Sequence, residues 1–338
     1  MDKSTIALPD AESTSSCGAS LAHTLYTLPV TICLQGELGA GKTTFLQGFA
    51  RALGVHEHLV SPTYALEQRY PSDHGELIHI DCYRLTPAQA RELLRATDGH
   101  GAIRCVEWSE RLPEESLERL GPHITVSLDE SDPGSRTLHC IWNDAVLPMR
   151  EQILEWRRDV RLPPHIAAHC DAVADFADAL AARMVQDGSL VRREALRRAS
   201  EAHDLLRFID FRAKAKPAGA IETEEDLHVW SRWKEHFGPV KHEPACARFL
   251  REHGYGAVAD IVETHGLTHH AAPRTRTEQK LLFYADKRVC IDRVVSLEER
   301  FRDFNERYTD GKHSSESAAW FAEAKTVERE LFPGGCPL

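Results

Sequence analysis

The 338-residue chain contains no apolar run long enough to cross a bilayer, and its start, Met1-Asp2-Lys3-Ser4-Thr5, lacks the apolar core of a secretory signal. No membrane partner is expected, and the expected location is the cytoplasm. The nine cysteines form no C-x-x-C pair, which argues for reduced thiols in a reducing compartment. Positive charge is in deficit. A formal net charge of -11 argues against a sequence-blind grip on nucleic acid through a basic surface, although a local basic face fits within that total. Internal repeats are absent. What is present is a hydrophobic fraction of 42%, enough for ordinary cores, in a length that suggests two domains or three. Histidine, at 19 residues, is abundant, and its placement matters more than its number.

One stretch organises the first half. Val30-Thr31-Ile32-Cys33-Leu34 reads as a buried strand, Gly36-Glu37-Leu38-Gly39-Ala40-Gly41-Lys42-Thr43 follows it, and Thr44-Phe45-Leu46-Gln47-Gly48-Phe49-Ala50 has helical spacing. Strand, glycine-rich turn and helix in that order are the context of a phosphate-binding loop. Glycines let backbone N–H groups curl around a phosphate, and the helix N-terminus adds partial positive charge. Residues Gly36 to Thr44 are therefore expected to contact nucleotide, with Lys42 reaching the β- and γ-phosphates and Thr43 binding Mg²⁺.

Further strands are expected at Val60 with Tyr64–Tyr70, at Leu77–Asp81, Ile103–Glu107, Ile124–Leu128 and Thr137–Ile141. Residues 2–17 read as an arm or a helix start. Together these make one α/β domain over residues 1–148. Asp81 and Glu107 end strands, where the first suits Mg²⁺ and the second suits orienting or deprotonating water. Thr63 follows a proline in a loop that would close on a γ-phosphate, or that is merely solvated. Trp108 would pack on nucleotide or partner, or serve as a core aromatic.

The phosphate loop, Ser61-Pro62-Thr63-Tyr64, His79-Ile80-Asp81-Cys82-Tyr83-Arg84-Leu85 and Val106-Glu107-Trp108 together resemble the TsaE family. That family comprises small P-loop ATPases of bacterial tRNA threonylcarbamoyladenosine synthesis. The resemblance runs from about residue 15 to residue 142. It implies ATP with Mg²⁺ as ligand, Lys42 and Glu107 as catalytic residues, and a TsaB–TsaD-like complex, and through it tRNA, as partner.

After Asp144-Ala145-Val146-Leu147-Pro148, which reads as a connector, the pattern becomes helical. His169 shares a 3.6-residue stripe with Val173, Phe176, Ala177, Leu180 and Met184. His203 follows Leu196 and Ala199 on another, His265 follows Val258, Ile261 and Val262, and Asp286 lies between Leu282 and Val289. Unpaired His and Asp are costly to bury, so several aimed inward call for mutual pairing or a metal.

The order His169, His203-Asp204, Asp286 resembles the HD superfamily of metal-dependent phosphohydrolases, although Leu205-Leu206 replaces the Ile-Gly of many relatives. The resemblance implies an all-α HD domain over 149–338, with a closing helix and with one metal on His169, His203, Asp204 and Asp286. A second metal would use His242 and His265. Imidazole with carboxylate favours Mn, Fe, Co, Ni or Zn. Asp204 is the expected catalytic residue. Lys241, Lys287 or Arg207 would contact phosphate, or each is an ordinary exposed charge.

The combined expectation is a bifunctional chain: an α/β P-loop ATPase supporting tRNA modification, followed by a phosphohydrolase. Its expected substrate is a small nucleotide, by preference a nucleoside 5′-monophosphate, modified adenylates included. Alternatives are a diesterase or triphosphohydrolase gated by the ATPase, or a non-catalytic, metal-stabilised docking module.

Overall fold

The computed structural model describes residues 2–98, 103–113, 115–116, 119–132, 134–211, 223–267, 273–308 and 315–338. The chain divides into two compact units, Met1–Val146 with Ala182–Arg193, and Leu147–Ala181 with Glu194–Leu338. Residues 182–193, assigned to the second domain on sequence, group with the first.

The first unit is a seven-stranded sheet with helices on both faces. Its elements are β1 (Asp2–Leu8), α1 (Ala11–Ala22), β2 (Thr31–Gln35), α2 (Lys42–Ala52), β3 (Glu67–Ser72), β4 (Gly75–Asp81), α3 (Pro87–Ala96), β5 (Ile103–Glu107), β6 (His123–Asp132) and β7 (Ser135–Asn143). Strand order is β1-β7-β6-β2-β5-β4-β3. β2 runs parallel to both β5 and β6, and β4 runs parallel to β5. The outer strands β1, β7 and β3 pair antiparallel. β2 is buried on both faces, and this is why it reads as an unbroken apolar run. Ile32 and Leu34 pack with α1 and α2, while Cys33 packs with α3 through Ala90 and Leu94.

Two sequence expectations are corrected. Of residues 2–17, those from Ala11 do start a helix, α1, but residues 2–8 form a strand. Its alternation buries Asp2 and Ser4 along with Ile6 and Leu8, so only half of the inward positions are apolar and the period-2 signal is weak. The strand expected from Val60 and Tyr64 begins only at Glu67. Tyr64 is exposed, and Leu66 takes a positive φ of 68°, incompatible with a strand. In the stretch read as a connector, Asp144 is buried and ion-paired with buried Arg192.

The second unit is mainly helical: α4 (Arg150–Asp159), α5 (Pro164–Gln186, whose last turn groups with the first unit), α6 (Arg193–Ala202), α7 (Glu224–Phe237), α8 (His242–Glu252), α9 (Gly256–Glu263), α10 (Thr277–Arg288), α11 (Leu297–Tyr308) and α12 (Ser315–Leu331). A short hairpin, β8 (Val289–Cys290) with β9 (Arg293–Val294), follows α10. Val173 and Ala177 of α5, Leu196 and Ala199 of α6, Val258 and Ile261 of α9 and Leu282 of α10 are all fully buried, as the helical stripes require.

Helices α1 and α2 meet backbone to backbone. A Cβ on Gly18 would lie 2.0 Å from the Phe45 carbonyl oxygen, and one on Gly48 would lie 1.8 Å from that of Ser15. Alanine ordinarily stabilises a helix interior by about 0.5–1 kcal/mol over glycine. Here the added methyl must push two helices apart, an overpacking cost of about 1–3 kcal/mol or more. Gly48→Ala is therefore expected to lower the melting temperature by roughly 4 °C or more. A melting temperature equal to or above wild type would contradict the close crossing.

Candidate functional sites

In the first unit, the chain leaves β2 and turns through Gly36–Gly41 into α2. Gly36, Gly39 and Gly41 have φ of 132°, 84° and 102°. A Cβ on Gly36 would also lie 2.3 Å from the Leu128 carbonyl oxygen, so the turn has room for no side chain there. Glu37, Leu38 and Gly39 are exposed at the tip, Ala40 is buried, and Thr43 and Thr44 enter the first turn of α2 half-buried. Lys42 is buried, and its Nζ donates to the carbonyls of Gly36 (2.5 Å) and Glu37 (3.0 Å). It also lies 3.9 Å from the centre of the Trp108 ring. Burial lowers the Lys42 pKa, while Glu107, Glu110, Asp81 and Glu37 hold it up.

Parallel pairing sets Asp81 at the end of β4 opposite Glu107 at the end of β5, and Glu107 opposite Leu34 of β2. Two carboxylates thus end beside the strand that feeds the glycine turn. Asp81 accepts from Ser61 Oγ (2.8 Å) and Thr63 Oγ1 (2.7 Å), and from the Tyr83 N–H (2.8 Å). Thr63 is held on the carboxylate, not freely solvated. Glu107 Oε1 accepts from Thr43 Oγ1 (2.9 Å) and lies 3.0 Å from Nε2 of buried His79. Trp108 is mostly buried, tilts against Tyr83 with ring centres 4.8 Å apart, and carries a positive φ of 59°. It is both a core aromatic and a neighbour of Lys42. Oxygen donors from Thr43, Asp81 and Glu107 around one loop suit a hard divalent cation such as Mg²⁺.

The second unit gathers the histidines. His169 lies on α5 and Asp286 in the last turn of α10, while His242 opens α8. His203-Asp204 and His265 lie just past the ends of α6 and α9, not on them as the stripes suggested. Nδ1 of His169, His203 and His265 lies 2.9, 2.7 and 2.6 Å from the carbonyls of Ile291, Ser200 and Val262. A carbonyl only accepts, so each Nδ1 carries a hydrogen, and Nε2 of neutral His203, which has no hydrogen-bond partner, is a bare lone pair. Burial opposes charge on His169, but the Asp286 carboxylate hydrogen-bonded to its Nε2 raises its pKa. The three Nε2 atoms converge. His169 Nε2 is 3.0 Å from Asp286 Oδ1, His203 Nε2 is 3.8 Å from the same oxygen, and His265 Nε2 is 3.6 Å from Asp204 Oδ1. His242 Nε2 lies 2.9 Å from Asp204 Oδ1 and 3.2 Å from His265 Nε2, while its Nδ1 lies 2.6 Å from Asp210 Oδ2.

His203 Nε2 is buried with no hydrogen-bond partner. Burial pushes this imidazole down to about 3, so the ring is neutral. Burial opposes charge on Asp204 and Asp286 too. For Asp204 it is outweighed by positive charge that includes His242 and Arg207, and for Asp286 by Lys287 and the hydrogen bond from His169; both carboxyls are held well below the usual range. The neutral His203 ring with its bare Nε2, the charged carboxylates beside it and Nδ1–H groups fixed by carbonyls are the donor set and outer shell that a transition metal takes. Among the described residues, three groupings have ligand atoms close enough to share an ion: His169, His203 and Asp286; His203, Asp204 and His265; and Asp210, His242 and Glu243.

Comparison with known proteins bears on the first unit. A family model described as "Threonylcarbamoyl adenosine biosynthesis protein TsaE" matches residues 8–138. A protein of Nostoc sp. named tRNA threonylcarbamoyladenosine biosynthesis protein TsaE is 40% identical over 136 residues, 39% of this chain and 81% of that one. This chain belongs to the TsaE family. A TsaE of Synechocystis sp. is 40% identical over 112 residues, 32% of this chain and 71% of the relative. A TsaE of Mycobacterium tuberculosis is 35% identical over 135 residues, 37% and 78%. The crystal structure of Bacillus subtilis YdiB aligns over 41% of this chain and 84% of that chain, at 26% identity and a TM-score of 0.31. The TsaE match contains the whole phosphate loop with Thr63, Asp81, Glu107 and Trp108, and it ends before the histidine cluster.

Sequence reasoning assigned no role to several residues that the geometry brings in. His79 and Ser61 fell within the stretches that carry the TsaE resemblance, but nothing in the sequence assigned either one a contact. Arg207 and Lys287, read as phosphate contacts or ordinary exposed charges, are half-buried against the cluster: Arg207 Nη1 lies 2.8 Å from His242 Nδ1 and 3.3 Å from Asp210 Oδ2, and Lys287 pairs with Asp286. Lys241 is exposed, as expected. Among the described residues, no helix is long and apolar enough to cross a membrane.

Proposed function

We propose that the TsaE unit hydrolyses ATP with Mg²⁺ in support of tRNA threonylcarbamoyladenosine synthesis, acting in the cytoplasm on a TsaB–TsaD-like complex that holds the tRNA. The observation that carries this is the matched TsaE region enclosing a complete phosphate loop with two strand-end carboxylates. Lys42 neutralises phosphate charge, and backbone N–H groups from Gly36 to Thr44 cradle the phosphates. Thr43 and Asp81 hold Mg²⁺. Thr63, tied to Asp81, brings its loop to the γ-phosphate, Glu107 orients the attacking water, and Trp108 packs beside Lys42. With TsaB and TsaD added, wild type is expected to sustain repeated rounds of tRNA modification with ATP. Lys42→Ala is expected to remove both ATP hydrolysis and repeated turnover. Hydrolysis by Lys42→Ala at the wild-type rate would place the ATPase site elsewhere.

The helical unit, in the same proposal, is an HD-type phosphohydrolase. Its support is the fully buried, unpartnered Nε2 of His203 beside the charged carboxylates of Asp204 and Asp286. His169, His203, Asp204 and Asp286 would hold one divalent transition metal, with His242 and His265 available for a second. Such an ion supplies acidified water and polarises a phosphate oxygen. Arg207 and Lys287 place positive charge against the carboxylates, where a phosphate would dock. The substrate we favour is a nucleoside 5′-monophosphate, modified adenylates included, cleaved with water to nucleoside and phosphate.

Metal-stripped protein reloaded with Mn²⁺, Co²⁺, Ni²⁺, Fe²⁺ or Zn²⁺ is expected to release phosphate from 5′-monophosphates. His203→Ala and Asp204→Ala are expected to lose both bound metal, by elemental analysis, and that release, with ADP binding intact. Cleavage of diesters or triphosphates alone would overturn the substrate class. No cleavage by metal-loaded protein would replace the enzyme with a metal-stabilised docking module.

A further inference from the structure

His79 stands on β4 between Ile78 and Ile80, and all three are fully buried. Its Nε2 lies 3.0 Å from Glu107 Oε1, and a carboxylate only accepts, so Nε2 carries the hydrogen. In the neutral ring Nδ1 is then an acceptor, and it is buried with no partner. An unsatisfied buried acceptor is a standing cost, one that a leucine or methionine at this position would avoid. The compensating contact is at Glu107. Oε1 takes two donors, His79 Nε2–H and the Thr43 hydroxyl at 2.9 Å, while Oε2 has no hydrogen bond among the described residues.

The two anchors are not equivalent. Thr43 lies in the first turn of α2, and its hydroxyl is the group that Mg²⁺ with nucleotide would engage. His79 is fixed by a strand paired on both sides, to β3 and β5. Once the Thr43 hydroxyl turns to the cation, Glu107 keeps only its histidine anchor.

We propose that His79 is a positioning residue for the ATPase reaction, holding one carboxylate oxygen of Glu107 so that the other is presented to the attacking water in the nucleotide-bound state. The inference rests on the reading of Glu107 and Thr43 given above. It assigns His79 no contact with nucleotide, and it does not depend on any change in His79 protonation. The role is geometric: a side-chain torsion held by a buried donor where chemistry tolerates little misplacement.

The test uses the full chain, with single-turnover ATP hydrolysis, MgADP affinity by calorimetry and thermal melting measured on His79→Leu, His79→Gln and Glu107→Gln. His79→Leu is expected to slow hydrolysis about tenfold or more, with MgADP affinity within about twofold of wild type and no loss of melting temperature. His79→Gln, which keeps an N–H donor, is expected to recover part of the rate. Wild-type hydrolysis by His79→Leu beside an inactive Glu107→Gln would overturn the inference and leave the Glu107 reading standing. Parallel loss of rate, affinity and melting temperature, with no recovery in His79→Gln, would reduce His79 to a structural residue and overturn it too. Wild-type hydrolysis by Glu107→Gln would overturn the Glu107 reading itself, and the inference with it.

Discussion

The parallel register between β4 and β5 is the constraint on which the nucleotide site depends. It sets Asp81 level with Glu107 and, through β5 and β2, sets Glu107 beside the strand that launches the glycine turn. In a parallel sheet all these strands end on the same edge, so loops and carboxylates from distant parts of the sequence collect there. Burial of both faces then fixes the register, because a one-residue slip would turn Ile78 and Ile80 away from the α3 side of the core. Backbone strain falls at the same edge. Leu66, at a positive φ, presents its carbonyl to the Asp81 N–H, and Trp108, also at a positive φ, follows Glu107. Such strain persists only where surrounding packing holds it, and here that packing is the site.

The helical unit uses a different device. Buried His203 and His265 spend their Nδ1–H on a carbonyl one turn before them, half-buried His169 spends its own on a neighbouring hairpin, and this leaves Nε2 facing its neighbours. The carbonyl that receives His169 belongs to Ile291, a β-branched residue at a φ of 61° in the β8–β9 hairpin. A glycine would relieve that conformation, so the isoleucine is tolerated by what surrounds it. Lone pairs and carboxylates packed together without water repel unless a cation lies between them or protons are shared. His242 shows the second solution. Against the burial that opposes its charge, Asp204 and Asp210 raise it to about 9.

How much of this was legible depended on how local the signal was. The phosphate loop could be read from a dozen consecutive residues, because glycine positions, strand and helix adjoin. The strands that end at Asp81 and Glu107 were also legible, since their apolar runs stop at a carboxylate. β1 was hidden by its Asp, Lys, Ser and Thr, which satisfy an outer strand without apolar alternation. The partners of Asp81 and Glu107 required register: nothing in sequence says that His79 reaches a residue 28 positions later. In the helical unit the stripes found His169, His203, His265 and Asp286. The turns that carry His203 and His265 past their helices, and the pairing of half-buried Arg207 and Lys287 with the cluster, depend on tertiary packing that helical periodicity does not encode.

The central claim is that Asp81, Thr43 and Glu107 are assembled at one sheet edge to receive a cation together with a nucleotide. Calorimetric titration of ADP into the full chain, with and without Mg²⁺, tests it most directly when wild type is compared with Asp81→Asn. The account predicts that Mg²⁺ strengthens ADP binding to wild type and that Asp81→Asn loses this strengthening while still binding metal-free ADP. Equal strengthening by Mg²⁺ in the two proteins, or none in wild type, would contradict it.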